Sequence, residues 1–288
     1  MDTRSLQIFK AVVAEGSVSR AAESLNYVQS NVTARIHRLE EDVGTPLFYR
    51  SRQGMTRTPA GEVLLGYADK ALHILDAARR AMAELSGAVG PLRLGSMETT
   101  LAVRLPEILA AYRRRHPKAR LDLTSGPTDD LVAALLAHRL DAALVGGRID
   151  HPDIEQEVAF TEEMAVVADA GLEDLARLGK NRMLLVFRQG CTYRAFAEQW
   201  LRTSGLAPVE ITELGTLDGI LACVAAGMGM TVMPRSVVAR PQYEGLLKVF
   251  PIGGAGMTID TMLARHREAA PNGALDEFLD ILRGRYRD

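Results

Sequence analysis

Between residues 29 and 37 the chain carries Gln29, Ser30, Asn31, Thr33, Arg35 and His37, six side chains able to exchange hydrogen bonds. Gln and Asn pair bidentately with adenine, Arg with guanine, and Ser or Thr with phosphate or with either base. Arg50, Arg52 and Arg57 follow closely and supply cations for backbone or minor-groove contact. A second set of groups lies farther along: Ser96, Met97, Glu98 and Thr99; Thr128; Gly146 and Gly147; Arg188, Gln189, Cys191 and Thr192; and Thr216. These read as strand ends and helix starts, where N–H groups favour anions. Ser96, Thr128 and Thr192 suit helix capping as well as ligand contact. Arg188 has two candidate partners, a ligand carboxylate or Glu98. An inward Glu98 would instead select a cation or amine, which leaves the ligand's charge open. Gly146 and Gly147 allow a ligand or backbone to come close.

The elements that must position the first set are short. Leu6, Phe9, Val12 and Val13 repeat at helical spacing, Gly16 ends that helix, and Ser17 or Ser19 caps the next. The second helix holds Ala21, Ala22 and Leu25, and Asn26-Tyr27 forms its exit. A third runs from about Gln29 to Val43, with Val32, Ile36, Leu39 and Val43 on one face. Two short helices joined by a tight turn make a helix-turn-helix, whose second helix enters the major groove. Leu47–Thr58 alternates loosely around Gln53-Gly54 and suits a hairpin. From Thr58-Pro59 a long helix extends to about Ser86. Its Leu64, Ala68, Ala71, Leu75, Ala78, Met82 and Leu85 step by 4, 3, 4, 3, 4 and 3, a heptad seam suited to dimerisation.

Ser86 to Pro91 reads as a hinge. Beyond it, strands and helices alternate, which implies an α/β fold with parallel pairing. Strands are expected at 92–96, 120–125 and 142–145, with helices at 101–115 and 131–138. A similar series follows: strands at 183–187, 209–214 and 230–233, helices at 193–203 and 217–226. Residues 157–168 form a crossing strand, 258–264 a return, and the helix at 275–282 packs on the first half. Met228, Met230 and Met233 are expected in the core, and Asp129-Asp130 complement a helix dipole.

Composition bounds the function. The 288 residues are 47% hydrophobic and 24% charged, and 34 Lys+Arg against 36 Asp+Glu give a net charge of −2. That excludes a generally basic nucleic-acid coat but not a locally basic head. Residues 28–58 hold Arg35, Arg38, Arg50, Arg52 and Arg57 against Glu40, Glu41 and Asp42, a balance of plus two. The cysteines, Cys191 and Cys223, make no disulfide framework and lack zinc-site spacing. Neither a signal-peptide core nor an 18-residue apolar run is evident, so a cytoplasmic chain without membrane contact is expected. The sequence carries no Walker loop, zinc motif or Gly-x-Ser-x-Gly turn, so an enzyme is disfavoured. A solute-binding protein would need a secretion signal and would not need the head.

Leu6, Phe9, Val13, Glu15-Gly16-Ser17, Ala21-Ala22 and Leu25 resemble the start of a LysR-type transcriptional regulator. The resemblance continues through Gln29-Ser30, Val32-Thr33, Ile36, Leu39-Glu40, Gly44, Leu47-Phe48, Arg50 and Thr58-Pro59-Ala60-Gly61. Leu94-Gly95-Ser96, Arg115-His116-Pro117 and Val224–Gly229 through Pro234 extend it over nearly the whole chain. One departure is Ser30-Asn31, where many members carry Pro-Ala or Ser-Ala, so Asn31 alters the contacts with DNA.

The resemblance implies a winged helix-turn-helix over 1–58 and a linker and dimerisation helix over 59–87. It further implies a two-lobed α/β, periplasmic-binding-protein-like effector domain, with lobe I at 91–163 plus 264–288 and lobe II at 164–263. The partners implied are double-stranded operator DNA, a second copy of the chain with further pairing to a tetramer, and a small metabolite between the lobes. RNA polymerase joins them if the protein activates transcription. No cofactor or metal is expected. Cys191 has two readings. One is a redox thiol, as in the family's peroxide-sensing branch, activated by Arg188, Arg194 and a helix N-terminus. The other is a packed or cleft-lining residue, favoured because Cys223 sits in an apolar helix and leaves no resolving partner.

Overall fold

A computed structural model describes residues 1–51, 54–84, 90–175, 183–205, 210–253 and 257–286. The chain divides into two units, Met1–Met82 and Ala83–Asp288.

The first unit begins with α1 (Thr3–Glu15), α2 (Val18–Ser24) and α3 (Gln29–Val43). Asp2 caps α1 by accepting from the Ser5 N–H at 2.8 Å, and Gly16 ends it with a left-handed φ of 59°. Such a conformation is easy for glycine and costly for residues with a Cβ. Ser17 then caps α2, and Asn26, also left-handed at φ 54°, turns the chain toward α3. The apolar faces close a core of Phe9, Val12, Ala21, Val32, Ile36 and Leu39. Strands β1 (Phe48–Ser51) and β2 (Gly54–Arg57) pair antiparallel as the wing. The wing is pinned where the Met55 N–H donates to the Gly16 carbonyl at 2.9 Å and Phe9 packs on Phe48 at 5.3 Å. Arg52 and Gln53, at its expected tip, lie outside the described residues.

Helix α4 (Pro59–Glu84) starts at Thr58, whose hydroxyl accepts from the Gly61 N–H at 3.0 Å. The sequence seam changes meaning here. Ala68 is buried in the core of the head, and Leu64 and Ala71 pack against that core beside Leu65 and Leu72. A Lys10–Asp69 ion pair of 2.5 Å fixes the same side of the helix. Leu75, Ala78 and Met82 are exposed, and Leu85 lies outside the described residues. The exposed apolar side instead carries Val63, Tyr67 and Ile74, at 62%, 70% and 65% exposure. Part of the expected seam is therefore taken up by the core of the head. A small domain needed part of it to complete its own core.

The second unit opens with β3 (Leu92–Ser96), α5 (Glu98–Val103), α6 (Leu105–Arg115), β4 (Leu121–Ser125), α7 (Thr128–Leu136) and β5 (Ala142–Gly146). Then come β6 (Ile154–Asp169), β7 (Met183–Val186), α8 (Thr192–Thr203), β8 (Glu210–Glu213), α9 (Leu217–Ala225) and β9 (Thr231–Pro234). The chain ends with α10 (Arg235–Val238), β10 (Leu247–Pro251), β11 (Thr258–His266) and α11 (Gly273–Tyr286). β3 lies between parallel neighbours β4 and β5, and β11 pairs antiparallel with both β5 and β6. β7 and β8 pair in parallel as a separate sheet, tied to Met230 through Leu184.

Two long strands join the lobes. β6 pairs with β11 up to Glu163, then with β9 from Met164 and β10 from Ala165. β11 meets β5 from Thr261, three residues ahead of the boundary expected at 264. The expected helix at 101–115 is broken at Arg104, because Pro106 cannot donate to the carbonyl four residues back. β10 was not anticipated. Met230 and Met233 are buried, but Met228 is 48% exposed and does not belong to the core. α11 packs on α6 through Tyr112 and Phe278, whose rings are 6.1 Å apart.

Candidate nucleic-acid interface and ligand cleft

On α3, Val32, Ile36 and Leu39 face the core. At 3.6 residues per turn, the stripe directly opposite is Ser30, Ala34, His37, Arg38 and Glu41, all exposed. Asn31 and Gln29 are exposed beside it at the N-terminal end, where recognition helices meet bases. Gln29 accepts from the Ser19 hydroxyl at 3.1 Å, and Thr33 donates back to the Gln29 carbonyl at 3.0 Å. Arg35 lies on the flank and pairs with Asp2 at 3.2 Å. The Ser5 N–H, followed by the Ser5 hydroxyl and the Arg35 charge, holds the Asp2 carboxyl below its ordinary range. Arg38 is the outward arginine that hydrogen-bonding type alone did not single out, although helical phase would have found it.

The wing arginines are steered by carboxylates. Arg50 pairs at 3.2 Å with Glu40, which also accepts from the Leu47 N–H at 2.9 Å. Arg57 pairs with Glu62 at 3.0 Å. These pairs are exposed on the arginine side, so each is worth on the order of 0–1 kcal/mol and can be traded for phosphate.

A cleft of about 200 Å³ lies between the lobes. Of the expected ligand residues, it is lined by Met97, Glu98, Thr99, Arg188 and Cys191. Gly126 and Pro127, which lead into Thr128 in one of the expected mouth segments, also line it, while Ser125, Phe187, Tyr193 and Gly215 line it and were missed. Phe187 and Tyr193 read from sequence as parts of a strand and a helix, with no signal that they turn inward.

Ser96, Thr128, Gly146, Gly147, Gln189, Thr192 and Thr216 are not among the lining residues. The buried Ser96 hydroxyl donates to the Met97 carbonyl at 3.0 Å. Thr128 accepts from the Gly146 N–H at 3.1 Å, while the Thr192 hydroxyl contacts Thr128 at 3.0 Å and the Gly146 carbonyl at 2.9 Å. A Cβ on Gly146 would come within 2.9 Å of that of Thr192, so glycine is what permits this closed triad. Gly147 donates its N–H to the Asp260 carbonyl at 2.8 Å, Gln189 is exposed, and Thr216 caps α9 through the Gly219 N–H at 3.1 Å. These residues hold strand and helix ends in place.

Glu98 bridges the lobes by accepting from the Leu217 N–H at the start of α9, at 2.7 Å. Arg188 does not pair with Glu98; it reaches across to Asp130 at 2.7 Å. Burial pushes the Cys191 thiol above its ordinary range, and nearby N–H groups and the Arg194 charge offset this only in part. Arg194 is itself taken by Glu198 and Glu213, at 2.8 and 2.6 Å. With Arg188 also engaged, the cations expected to activate Cys191 are held elsewhere. Burial likewise raises the Tyr193 phenol to about 12.

Among the described residues, no helix is long and apolar enough to cross a membrane. No group of His, Cys, Asp and Glu there could hold a metal ion.

The helix-turn-helix with its wing and the two-lobed cleft together define a ligand-responsive DNA-binding regulator. Residues 3–62 match the bacterial regulatory helix-turn-helix protein, lysR family, and residues 86–287 match the LysR substrate binding domain. The chain is 41% identical over 289 residues to the HTH-type transcriptional regulator GltR of Bacillus subtilis (strain 168), covering 100% of this chain and 98% of that one. It is 39% identical to the HTH-type transcriptional regulator SoxR of Arthrobacter sp. (strain TE1826), covering 98% and 97%. Among solved structures, a full-length OxyR variant from Pseudomonas aeruginosa matches with a TM-score of 0.73 at 23% identity, over 98% and 95% of the two chains. The LysR family regulator CbnR matches at 0.70 and 24% identity over the whole of both. The chain belongs to the LysR family of transcriptional regulators. It is a DNA-binding regulator with an effector-binding domain, not an enzyme.

Proposed function

We propose that the regulator reads operator DNA as a dimer, with one α3 in the major groove of each half-site. The reading rests chiefly on the exposed stripe of Ser30, Ala34, His37 and Arg38 opposite the core face of α3. Ser30, Asn31 and Gln29 lie at the end nearest the bases, and Arg38, Arg50, Arg52 and Arg57 serve the phosphates. Dimerisation runs along Val63, Tyr67, Lys70, Ile74, Ala78 and Ala81 of α4, steps of 4, 3, 4, 4 and 3, with Met82 beside them. Pairing of dimers gives a tetramer. A small metabolite between the lobes changes their arrangement and so the affinity for the operator. Only a ligand that binds the two arrangements unequally can do this. The operator partner places the protein in the bacterial cytoplasm, and contact with RNA polymerase belongs to an activating mode alone.

Fluorescence anisotropy with DNA flanking the gene tests the head. Arg38→Ala is expected to weaken binding by about tenfold and to lower the salt slope by about one. Arg35→Ala, already tied to Asp2, is expected to do less. Unchanged affinity and slope in Arg38→Ala would remove α3 from the proposed interface.

A further inference from the structure

The ligand cleft holds charges of both signs, and they differ in how firmly they are held. Glu98 is fixed with its Oε1 on the Leu217 N–H at 2.7 Å, which keeps the carboxylate directed across the cleft. Arg188 lines the same cleft but rests on Asp130, with side chains 56% and 61% exposed. So exposed a pair contributes little and is readily exchanged for another carboxylate. Thr99 is 3% exposed and lines the cleft, yet its hydroxyl oxygen makes no hydrogen bond of normal geometry among the described residues. The Tyr193 hydroxyl lies near it. Buried polar atoms seldom go unpaired, and one in a cleft wall is a place for a ligand group. Met97, Pro127 and Phe187 supply apolar wall between these groups. At about 200 Å³ the cleft suits a small ligand.

We propose that the effector is a compact zwitterion, a free amino acid with a short apolar side chain. Its ammonium group sits on Glu98, its carboxylate on Arg188 in place of Asp130, and one polar group engages Thr99. A simple amine would leave Arg188 unused, and a simple carboxylate would face Glu98. Both anchors presently make contacts between the lobes, Glu98 to α9 and Arg188 to Asp130. Zwitterion binding therefore exchanges lobe-to-lobe contacts for ligand contacts, which gives the two arrangements unequal affinity.

This inference rests on the reading of the cleft as the effector site, and the experiment separates the two. The full-length protein is titrated calorimetrically with glycine, L-alanine, L-valine and L-methionine, and with butylamine and butyrate as single-charge controls. Operator affinity is measured alongside. At least one amino acid is expected to bind, and the controls at least tenfold more weakly. Glu98→Gln and Arg188→Gln are each expected to lower amino-acid affinity by about 10- to 100-fold, the range of a charge-assisted hydrogen bond. Arg188→Gln keeps the test sharp if Glu98→Gln fails to fold. Butylamine or butyrate binding as tightly as every amino acid would overturn the zwitterion and leave the effector cleft standing. Amino-acid binding that neither variant weakens would overturn the placement in this cleft. Failure of all six compounds to bind would overturn the zwitterion too.

Discussion

A protein with both Tyr67→Glu and Ile74→Glu should sediment as a monomer and bind its operator about 10²- to 10⁴-fold more weakly than the parent. Tyr67 and Ile74 are 70% and 65% exposed on the side of α4 turned away from the head's core. The unpaired head therefore loses none of its own packing when they change. Two glutamates in a facing seam would bring like charges together at each crossing and remove the apolar contact that holds it. The effect on DNA is larger than on any single contact. When two heads are linked, binding of the second is intramolecular and avidity exceeds single-site affinity by about 10²–10⁴. Analytical ultracentrifugation and anisotropy on the same preparation measure both consequences. Ala68→Glu should behave differently, because Ala68 is 1% exposed inside the head and its replacement unfolds the head itself. A dimeric double variant with normal operator affinity would place the dimer contact elsewhere.

Glu162→Ala is expected to cost about 3–5 kcal/mol of effector-domain stability, the usual result of removing one partner of a buried ion pair. Glu162 lies on β6 one residue before Glu163, the last to pair with β11, and its side chain is 6% exposed. Arg104, at the corner between α5 and α6, donates to it twice, from Nε at 2.8 Å and from the guanidinium terminus at 3.0 Å. The Ser236 hydroxyl of α10 adds a third hydrogen bond at 2.8 Å. One carboxylate thus ties elements of both lobes to the strand that passes between them. Removing it leaves the Arg104 guanidinium, 27% exposed, with reduced solvation and without these two charge-assisted hydrogen bonds. The double variant Glu162→Leu with Arg104→Met removes both charges and should recover most of the loss, since apolar replacements of buried pairs are often neutral. Urea unfolding followed through Trp200 in the effector domain reads both proteins. A loss below about 1 kcal/mol in Glu162→Ala would show that the clasp carries little.

Local chemistry made much of the fold legible. Gly16, Ser17 and Thr58 mark helix ends that the structure retains, because capping is decided within a few residues. The split at Arg104 was also readable from Pro106. β10 escaped because its residues are only partly buried and carry no clear alternation. Residue types pointed to Arg35, whereas helical phase against Val32, Ile36 and Leu39 points to Arg38. The cleft was least legible, for a physical reason. Strand ends and helix starts located its mouth, but which side chains remain free depends on partners far away in sequence. Thr192 closes on Thr128, 64 residues before it, and Glu98 on Leu217, 119 residues after it. No local pattern separates a threonine held in such a contact from one that lines the cleft, as Thr99 does.

Regulation of this kind requires a paired operator whose recognition changes with small-molecule occupancy. Quantitative footprinting of the full-length protein on DNA flanking its gene, with and without the amino acid that binds it, tests that claim most directly. Two protected half-sites are expected, with centres a whole number of turns apart, in multiples of about 10.5 base pairs. Saturating ligand is expected to change their extent or affinity. Protection of no site, or of a single isolated half-site with a pattern indifferent to the ligand, would contradict it.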